Sequence, residues 1–324
     1  MKRDLRNTIL WFVVITVLGI LIQVLIEGNV LSPYYRINLY TIGINIILAV
    51  SLNLIIGITG QFSLGHAGFM AIGAYSVAIT LQYIKGYPGF FLGIAIGVLL
   101  TIGLSLLIAI PTLRLRGDYL AIATLGFSEI IRIAILNMTI TGGAGGLYNI
   151  QRLLTWPLLF GFIVFALIVV VMFKNSRYGR ACISIREDEI AAESMGIPIT
   201  RYKVISFTIG VCLAAMAGGL YAVGFNAISP SYFSFTKSID VLVIVVFGGL
   251  GSFTGSIVSA IVLGIINIIL ALLNISDIMM ILYSIILILL MIFRPSGLLG
   301  QYEFSFKAFK RKKKQKAVIP HEQS

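Results

Sequence analysis

Continuous apolar runs of about twenty residues, separated by short polar segments, dominate the chain. A helix needs about 20 residues to cross the roughly 30 Å hydrocarbon layer of a membrane. Strands of a membrane β-barrel would instead alternate apolar and polar positions. The pattern therefore predicts an all-α, polytopic membrane protein of about ten transmembrane or half-spanning helices. The predicted runs are Thr8–Ile26, Asn38–Ile58, Gly65–Ile84, Phe90–Leu113, Tyr119–Ile140, Trp156–Phe173, Val204–Gly224, Ile239–Leu250, Thr254–Asn274 and Asp277–Phe293.

Two of these runs are unusual. Ile239–Leu250 is too short to cross a membrane alone, so we expect a half-span or a broken helix there. Thr8–Ile26 follows a basic segment and in this respect resembles a signal peptide. It is longer than a typical signal core and no small-residue cleavage site follows it, so we expect an uncleaved first span.

The composition supports a membrane protein and excludes other classes. Apolar residues make up 59% of the chain and charged residues 11%, against about 45–50% and about 25% in soluble domains. Such a chain is neither an ordinary soluble domain nor a disordered one. Its two cysteines, Cys182 and Cys212, are too few for a disulfide scaffold.

Basic residues are distributed unevenly between the two sides of the predicted spans. With the N-terminus in the cytoplasm, nineteen of the 24 lysines and arginines fall in cytoplasmic segments. By the positive-inside rule, we expect both termini in the cytoplasm and an even number of crossings. The net charge of +12 then reflects topology, and we expect no nucleic-acid partner. Residues 1–302 are predicted to form the transmembrane domain, and 303–324 a basic tail that anchors this topology or contacts anionic membrane lipid.

The longest polar segment, Lys174–Lys203, carries the signals of a short helix over Ile185–Met195. Ser184 starts a capping box with the glutamate three residues later, and Gly196 suits the end of a helix. Such defined ends favour an element that docks a cytoplasmic protein, with a solvated connector as the alternative. The residues assigned to docking are Arg186, Glu187, Asp188, Glu189, Ala191, Ala192 and Gly196.

A few polar residues fall inside the apolar runs or at their ends. Gln61 and His66 lie in the first glycine-rich segment, where a histidine is more often a hydrogen-bonded core residue than a proton relay. Glu129 and Arg132 stand three residues apart, on one face of a helix. Charges inside a membrane must pair or face the interior of the bundle. We therefore expect either a structural ion pair or part of a gate or latch between helices.

Glycines form two groups with different expected roles. Gly65, Gly68, Gly251 and Gly255 belong to small-residue patterns that let helices approach closely, and Gly251 and Gly255 have GxxxG spacing. A helix broken at such glycines and lining a pathway is the alternative. Gly142 and Gly143 lie in a predicted external turn. Candidate residues of a substrate path or gate are Gln61, His66, Glu129, Arg132, Gly142 and Gly143.

Motifs that carry catalysis are missing from the sequence. It contains no phosphate-binding loop of the form GxxxxGK[ST], no HExxH, no GxSxG and no cysteine pair with metal-ligand spacing. We therefore expect no catalytic residues, no cofactor and no metal, and predict that the chain is not an enzyme.

Seven blocks of the sequence, in order, resemble one family, the branched-chain amino-acid ABC-transporter permeases of the LivM type. The resemblance extends from about Asn38 to Leu299 and is less specific to the substrate, because urea and amide importers use similar permeases. The blocks are Gly60–Tyr75 (GQFSLGHAGFMAIGAY), Leu115–Arg132 (LRGDYLAIATLGFSEIIR), Ile185–Lys203 (IREDEIAAESMGIPITRYK), Ala217–Ala222 (AGGLYA), Ser229–Phe233 (SPSYF), Val245–Gly255 (VVFGGLGSFTG) and Phe293–Leu298 (FRPSGL).

The resemblance implies a fold similar to type II ABC importer permeases, in a bacterial plasma membrane. It also implies four kinds of partner: a homologous LivH-type permease, two ABC ATPase subunits, an external substrate-binding protein, and the amino acid itself. The short helix would then be the coupling helix. The family's E-A-A-x-x-x-G pattern is matched by Ala191, Ala192 and Gly196, but Ile190 stands at the glutamate position. A urea or amide permease remains an alternative, as do a secondary transporter and a membrane enzyme.

Overall fold

The structure is a computed structural model that describes residues 32–112 and 117–273, together with single residues near both ends of the chain. Ten α-helices and one two-stranded ribbon lie in the two described ranges. They are α1 (Pro33–Asn53), α2 (His66–Tyr83), α3 (Tyr87–Thr112), α4 (Asp118–Asn137), β1 (Leu147–Tyr148), α5 (Trp156–Asn175), α6 (Arg177–Glu187), α7 (Glu189–Ser194), α8 (Ile199–Phe225), β2 (Ala227–Ile228), α9 (Phe235–Gly248) and α10 (Phe253–Leu272).

The predicted all-α membrane architecture is confirmed. Six helical segments in the described part are long and apolar enough to cross a membrane. They are Pro33–Ile58, Tyr87–Ala109, Asp118–Asn137, Trp156–Asn175, Ile199–Phe225 and Phe253–Leu272. Helix α9 covers most of the short run Ile239–Leu250 but begins earlier; its 14 residues span about 21 Å, less than a full crossing. Most of the runs Asp277–Phe293 and Thr8–Ile26 lies outside the described residues, as does the basic tail.

Helix α2 lies at the centre of the bundle. Fifteen of its eighteen residues are buried, and it packs against α8, α3 and α4. Its contact with α8 depends on small residues, because a Cβ atom added to Gly73 would overlap the backbone of Ala215, and one added to Gly218 would overlap that of Met70. Close backbone approach of this kind replaces the hydrophobic driving force that lipid cannot supply.

The bundle has two distinct ends. At one end, α6 and α7 form a polar projection between α5 and α8; we call this the α6–α7 end. At the other, β1 pairs with β2 in antiparallel register, with Leu147 opposite Ile228; we call this the ribbon end. Helix α8 begins beside α7 and ends at β2, so it runs from one end to the other.

Candidate functional site

Helix α1 loses its regular form before it reaches the α6–α7 end. Its last turn, Leu54–Ile58, is π-helical, and a loop from Thr59 to Gly65 leads into α2. The loop is largely buried, with Thr59, Gln61 and Ser63 each 2% exposed. Irregular backbone at membrane depth is tolerated where protein covers it, and here the surrounding helices do so.

Side chains of two other helices satisfy the amide groups at the start of α2. The amide of Leu64 donates to Thr124 Oγ1 at 3.0 Å, and that of Gly68 to Ser128 Oγ at 2.9 Å; both acceptors are on α4. The amide of Ala67 donates to Ser238 Oγ of α9 at 3.1 Å. The first amide groups of a helix have no partner within the helix. These bonds therefore fix the broken segment to both α4 and α9.

The predicted packing glycines Gly65 and Gly68 lie at this same contact. A Cβ atom at Gly65 would come within 2.6 Å of the Thr124 carbonyl oxygen, and one at Gly68 within 2.8 Å of Ser128 Cα. The start of α2 therefore touches the backbone of α4 with no side chain between them.

Gln61 and His66 are buried and bonded within the bundle. Gln61 Nε2 donates to the carbonyl oxygen of Lys203 at 3.1 Å and to Ser206 Oγ at 3.2 Å. His66 Nε2 shares a hydrogen bond of 2.8 Å with Ser51 Oγ. Both side chains thus connect the loop region to neighbouring helices, and their part in a substrate path stays a prediction.

Arg186, the penultimate residue of α6, reaches the break in α1. Its Nη1 donates to the carbonyl oxygen of Gly57, and its Nη2 pairs with Glu187 Oε1 at 2.6 Å. The side chain also lies against Gly60 and Gly251, where an added Cβ would come within 2.9 Å of its Cγ and 3.1 Å of its Nη1, respectively. The last carbonyl groups of a helical segment have no partner within the segment, and the guanidinium supplies one for Gly57.

Asn53, the last residue of α1 before the π-helical turn, holds the turn between α9 and α10. Its Nδ2 donates to the Ser252 carbonyl at 2.9 Å and to Ser256 Oγ at 2.7 Å, and its Oδ1 accepts from the amide of Gly251 at 2.8 Å. Asn53 is completely buried. A side chain at Gly57 would collide with Asn53 and with the backbone of Gly251, so the turn is seated directly on the broken segment.

The structure divides the predicted helix Ile185–Met195 into two. Ser184 does not cap a helix; its hydroxyl donates to the Ala181 carbonyl inside α6. Asp188 is instead the N-cap of α7, because its Oδ1 accepts from the amides of Ile190 and Ala191 at 2.9 and 3.0 Å. Its extended backbone, with φ −154° and ψ 111°, breaks the helix there. Glu187 therefore ends α6, and Glu189 is the acidic residue in the first turn of α7.

The end of α7 has the geometry that Gly196 suggests. Gly196 has φ +79°. Its amide donates to the carbonyl oxygen of Glu193, and the amide of Ile197 donates to the carbonyl oxygen of Ala192. This pair of bonds with a left-handed glycine is the Schellman motif. Ala192 faces the protein, with 4% exposure, whereas Ala191 is exposed.

A second connection joins α7 to the bundle. Glu189 Oε1 accepts from Lys203 Nζ at 3.0 Å, and the Lys203 side chain is only 9% exposed. The carbonyl of Lys203 accepts the bond from Gln61 described above. Helix α7 is therefore linked through α8 to the same loop that Arg186 reaches from α6.

Glu129 and Arg132 form an ion pair of 2.7 Å on α4, with both side chains about a quarter exposed. The other carboxylate oxygen of Glu129 accepts from the amide of Phe235, the first residue of α9, at 3.2 Å. A carboxylate is favourable at a helix N-terminus. Glu129 therefore links α4 to the start of α9; a role of the pair in a gate or latch stays a prediction.

The remaining predicted glycines have different positions. Gly251 is not in a helix: it lies in the turn between α9 and α10 with φ +90°, so the GxxxG pattern does not mark a helix face. Gly255 packs on the backbone of Gly248 across that turn. Gly142 and Gly143, both with positive φ, form a tight turn at the ribbon end, beside the 3-10 segment Gly143–Gly145.

Several residues of this site were not singled out from the sequence: Asn53, Gly57 and Lys203. Asn53 was the most visible, since it is an amide inside an apolar run, and a polar residue there needs partners. The described residues contain no group of three or more His, Cys, Asp or Glu placed to hold a metal ion.

Cys182, on α6, is completely buried against this site. Burial raises the pKa of its thiol to about 11, while hydrogen bonds with Ser206 and Thr59 act in the opposite direction. The thiol therefore stays protonated at neutral pH and reports on whether α6 remains packed.

Comparison with known proteins gives a consistent result. The family profile described as "Branched-chain amino acid transport system / permease component" matches residues 36–293. The high-affinity branched-chain amino acid transport system permease protein LivM of Escherichia coli K12 is 37% identical over 295 residues, covering 79% of this chain and 68% of that protein. The LivH permease protein of the same strain is 31% identical over 137 residues, covering 42% of this chain and 44% of that protein.

Among solved structures, "PsaBC from Streptococcus pneumoniae in complex with Fab" contains a chain to which the present chain is similar. The match covers 90% of the present chain and 99% of the chain in that structure. The TM-score is 0.45 and the sequence identity 15%. A likeness at this level adds nothing about function.

Proposed function

The chain belongs to the family of branched-chain amino acid transport permeases, and from that premise we propose that it is one permease subunit of an ATP-driven importer of leucine, isoleucine and valine. Hydrolysis takes place in separate ATPase subunits, because this chain carries no phosphate-binding loop. The permease opens alternately to the two sides of the membrane. The observation that carries this proposal is the pair of connections from α6 and α7 to the broken segment of α1.

Helix α7 is the docking element for the ATPase. Ile190 of α7 and Met195, its C-cap, are large apolar side chains that are 69% and 83% exposed. Exposed apolar groups surrounded by charge are typical of protein contacts. Glu187, whose side chain is 66% exposed, supplies a polar contact at the rim.

Movement of the docked ATPase reaches the membrane part by two connections. Arg186 pulls on the Gly57 carbonyl, and Glu189 pulls on Lys203, whose carbonyl binds Gln61. Both end on the segment where α1 is irregular, and an irregular turn adapts to movement more easily than a regular helix. ATP can drive the cycle only if it favours one arrangement of these contacts over another.

The short helix α9 is the element that moves in the membrane. At one end its N-terminus is held by Glu129, and at the other its turn is seated on Asn53. A displacement of the broken segment therefore acts directly on α9, and release of the Glu129 contact changes the path. In this arrangement Glu129 and Arg132 form the latch of the gate.

The distribution of charge supports the orientation. The α6–α7 end carries most of the basic residues of the polar segments and faces the cytoplasm, with both chain termini on that side of a bacterial plasma membrane. The ribbon end faces outward, where a binding protein delivers substrate. Partial similarity to LivH supports a pair of related permeases in one transporter.

The proposal is tested by copurification. The chain is expressed with its genomic neighbours, recovered through a tag on this chain, and assayed for ATPase activity with leucine-loaded or urea-loaded binding protein. We expect ATPase subunits in the complex and stimulation by leucine. Stimulation by urea alone would contradict branched-chain amino acids as the substrate. Uptake by the isolated chain under an ion gradient, with no ATPase present, would contradict an ATP-driven importer.

A further inference from the structure

A cavity of about 470 Å³ opens at the ribbon end of the bundle. Its wall combines the C-terminal end of α2, the segment that follows β1, and the residue after α8. Binding sites for small molecules have volumes of about 300–1,000 Å³, so the cavity has the size of a metabolite site. None of the groups connecting α6 and α7 to α1 lines it, so the cavity is separate from that site.

The cavity has an apolar floor and a positively charged rim. Ala78, Leu81 and Ile150 form the floor and are at most 5% exposed. Lys85 and Arg152 lie on the rim, are exposed, and no acidic residue lines the cavity in the described part of the chain. Two cations without a carboxylate partner favour a ligand that carries an anionic group.

Negative partial charge comes from the backbone instead. Helix α2 ends at Tyr83 and α8 at Phe225, and Gln82, Lys85 and Asn226, next to these ends, line the cavity. The last carbonyl groups of a helix are equivalent to roughly half a negative charge. The cavity therefore offers sites for a cation and for an anion beside one apolar surface.

The backbone of the wall is specialised. Asn149 (φ 56°) and Asn226 (φ 63°) are the two non-glycine residues with positive φ in the described part of the chain, and both line the cavity. Asparagine adopts this conformation more readily than other non-glycine residues, and at Asn226 it ends helix α8. The amide of Ile150 donates to the Asn226 carbonyl at 3.1 Å, and Gln151 Oε1 accepts from the amide of Gly86 at 2.8 Å, so the three parts of the wall are fixed to one another.

We propose that this cavity binds a free, zwitterionic aliphatic amino acid. The carboxylate lies against Lys85 and Arg152, the ammonium group faces the carbonyl ends of α2 and α8, and the aliphatic side chain covers the apolar floor. The inference rests on the proposed function, because the ribbon end is the side from which substrate enters. The cavity is then a receiving site outside the path through the membrane.

The test uses the complete importer in phosphatidylcholine nanodiscs, without binding protein or nucleotide. Binding of radiolabelled L-leucine is measured by scintillation proximity. Two competitors are used: leucinamide, which lacks the carboxylate, and 4-methylpentanoate, which lacks the ammonium group. We expect saturable binding that weakens about tenfold in Arg152→Gln and in Lys85→Gln, the effect of losing one charge-assisted hydrogen bond. Both competitors should bind at least tenfold more weakly than leucine. The matched control Arg177→Gln, on α6 at the opposite end, should bind leucine normally.

Several results would overturn the inference. They are absence of saturable binding to the wild-type complex, unchanged affinity in both glutamine variants, or equal competition by 4-methylpentanoate, which would indicate a simple anion site. Loss of leucine binding when phosphatidylethanolamine is added would assign the cavity to a lipid headgroup. Leucine uptake in the presence of binding protein is measured in parallel: its absence in the wild type would contradict the proposed function, whereas intact uptake with no dependence of binding on Arg152 would contradict the cavity alone.

Discussion

The guanidinium of Arg186 donates a hydrogen bond to the carbonyl oxygen of Gly57, although the two residues belong to different kinds of structure. Arg186 lies in a polar helix outside the apolar runs, and Gly57 in the π-helical end of a membrane-spanning segment. The same side chain lies against the Gly251 turn. One arginine thus joins α6, the broken segment of α1 and the turn before α10.

Gly196 should be needed for the end of helix α7. A side chain at position 196 would meet no atom within 4 Å, so the effect of Gly196→Ala comes from its φ of +79° alone. We expect the end of α7 to lose about 1 kcal/mol, with roughly fivefold faster hydrogen exchange at the Ile197 amide. Gly126→Ala, also in open space but within helix α4, is the control and should exchange normally. Equal exchange rates of the Ile197 amide in both variants would contradict a requirement for the left-handed conformation at Gly196.

Removing one partner of the partly buried Glu189–Lys203 ion pair should destabilise the protein more than replacing both partners. Glu189→Gln leaves the buried ammonium of Lys203 without its partner, and should lower the unfolding free energy by about 1–3 kcal/mol, less than for a fully buried pair because Glu189 is 30% exposed. The double variant Glu189→Gln, Lys203→Met should recover part of the loss. Thermal unfolding in detergent measures both, with exposed Glu193→Gln as control. Additive losses in the double variant would rule out this coupling.

Asn53 should be the most sensitive polar position of α1. Asn53→Leu leaves the Gly251 amide and the oxygens of Ser252 and Ser256 without this partner in a buried site, and should destabilise the protein by about 2–4 kcal/mol. The matched change Asn38→Leu, on the same helix, removes one exposed bond to the Tyr34 carbonyl and should have little effect. A similar thermal midpoint for the two variants would show that the turn does not depend on Asn53.

The thiol of Cys182 tests the packing of α6. Cys182 is completely buried, so a reagent reaches it only when α6 opens locally. Burial also raises the pKa of this thiol to about 11, and only the thiolate reacts. With Cys212 replaced by alanine, maleimide labelling at Cys182 should be at least about tenfold slower at pH 8 than at an exposed thiol introduced by Ser194→Cys. Equal labelling rates at the two positions would contradict the burial of Cys182.

The spans and the ion pair of this protein follow from local patterns. Apolar runs of about twenty residues have one structural solution in a membrane, so the helices lie close to where the sequence puts them. Glu129 and Arg132 are three residues apart, and a helix brings them together. Gly196 marks a helix end because few other residues adopt its conformation.

Contacts over long sequence distances could not be found in this way. Arg186 and Gly57 are 129 residues apart, and no local pattern pairs them. The sequence does not predict that the segment Ile185–Met195 is divided, because Ser184 and Asp188 are both residue types that cap helices well. In the structure Ser184 lies inside α6, and Asp188 is the cap. Gly251 and Gly255 have the spacing of a helix contact, but a chain reversal falls between Gly248 and Phe253.

In the proposed mechanism, the hydrogen bond from Arg186 to Gly57 transmits movement from the docked ATPase to the broken segment of α1. Its most direct test is the number of leucine molecules imported per ATP hydrolysed by the importer in proteoliposomes, compared between wild type, Arg186→Gln and the α6 control Arg177→Gln. We predict that Arg186→Gln retains ATP hydrolysis while this ratio falls at least tenfold, the effect of losing a charge-assisted bond, and that the control keeps the wild-type ratio. An unchanged ratio in Arg186→Gln would contradict the account.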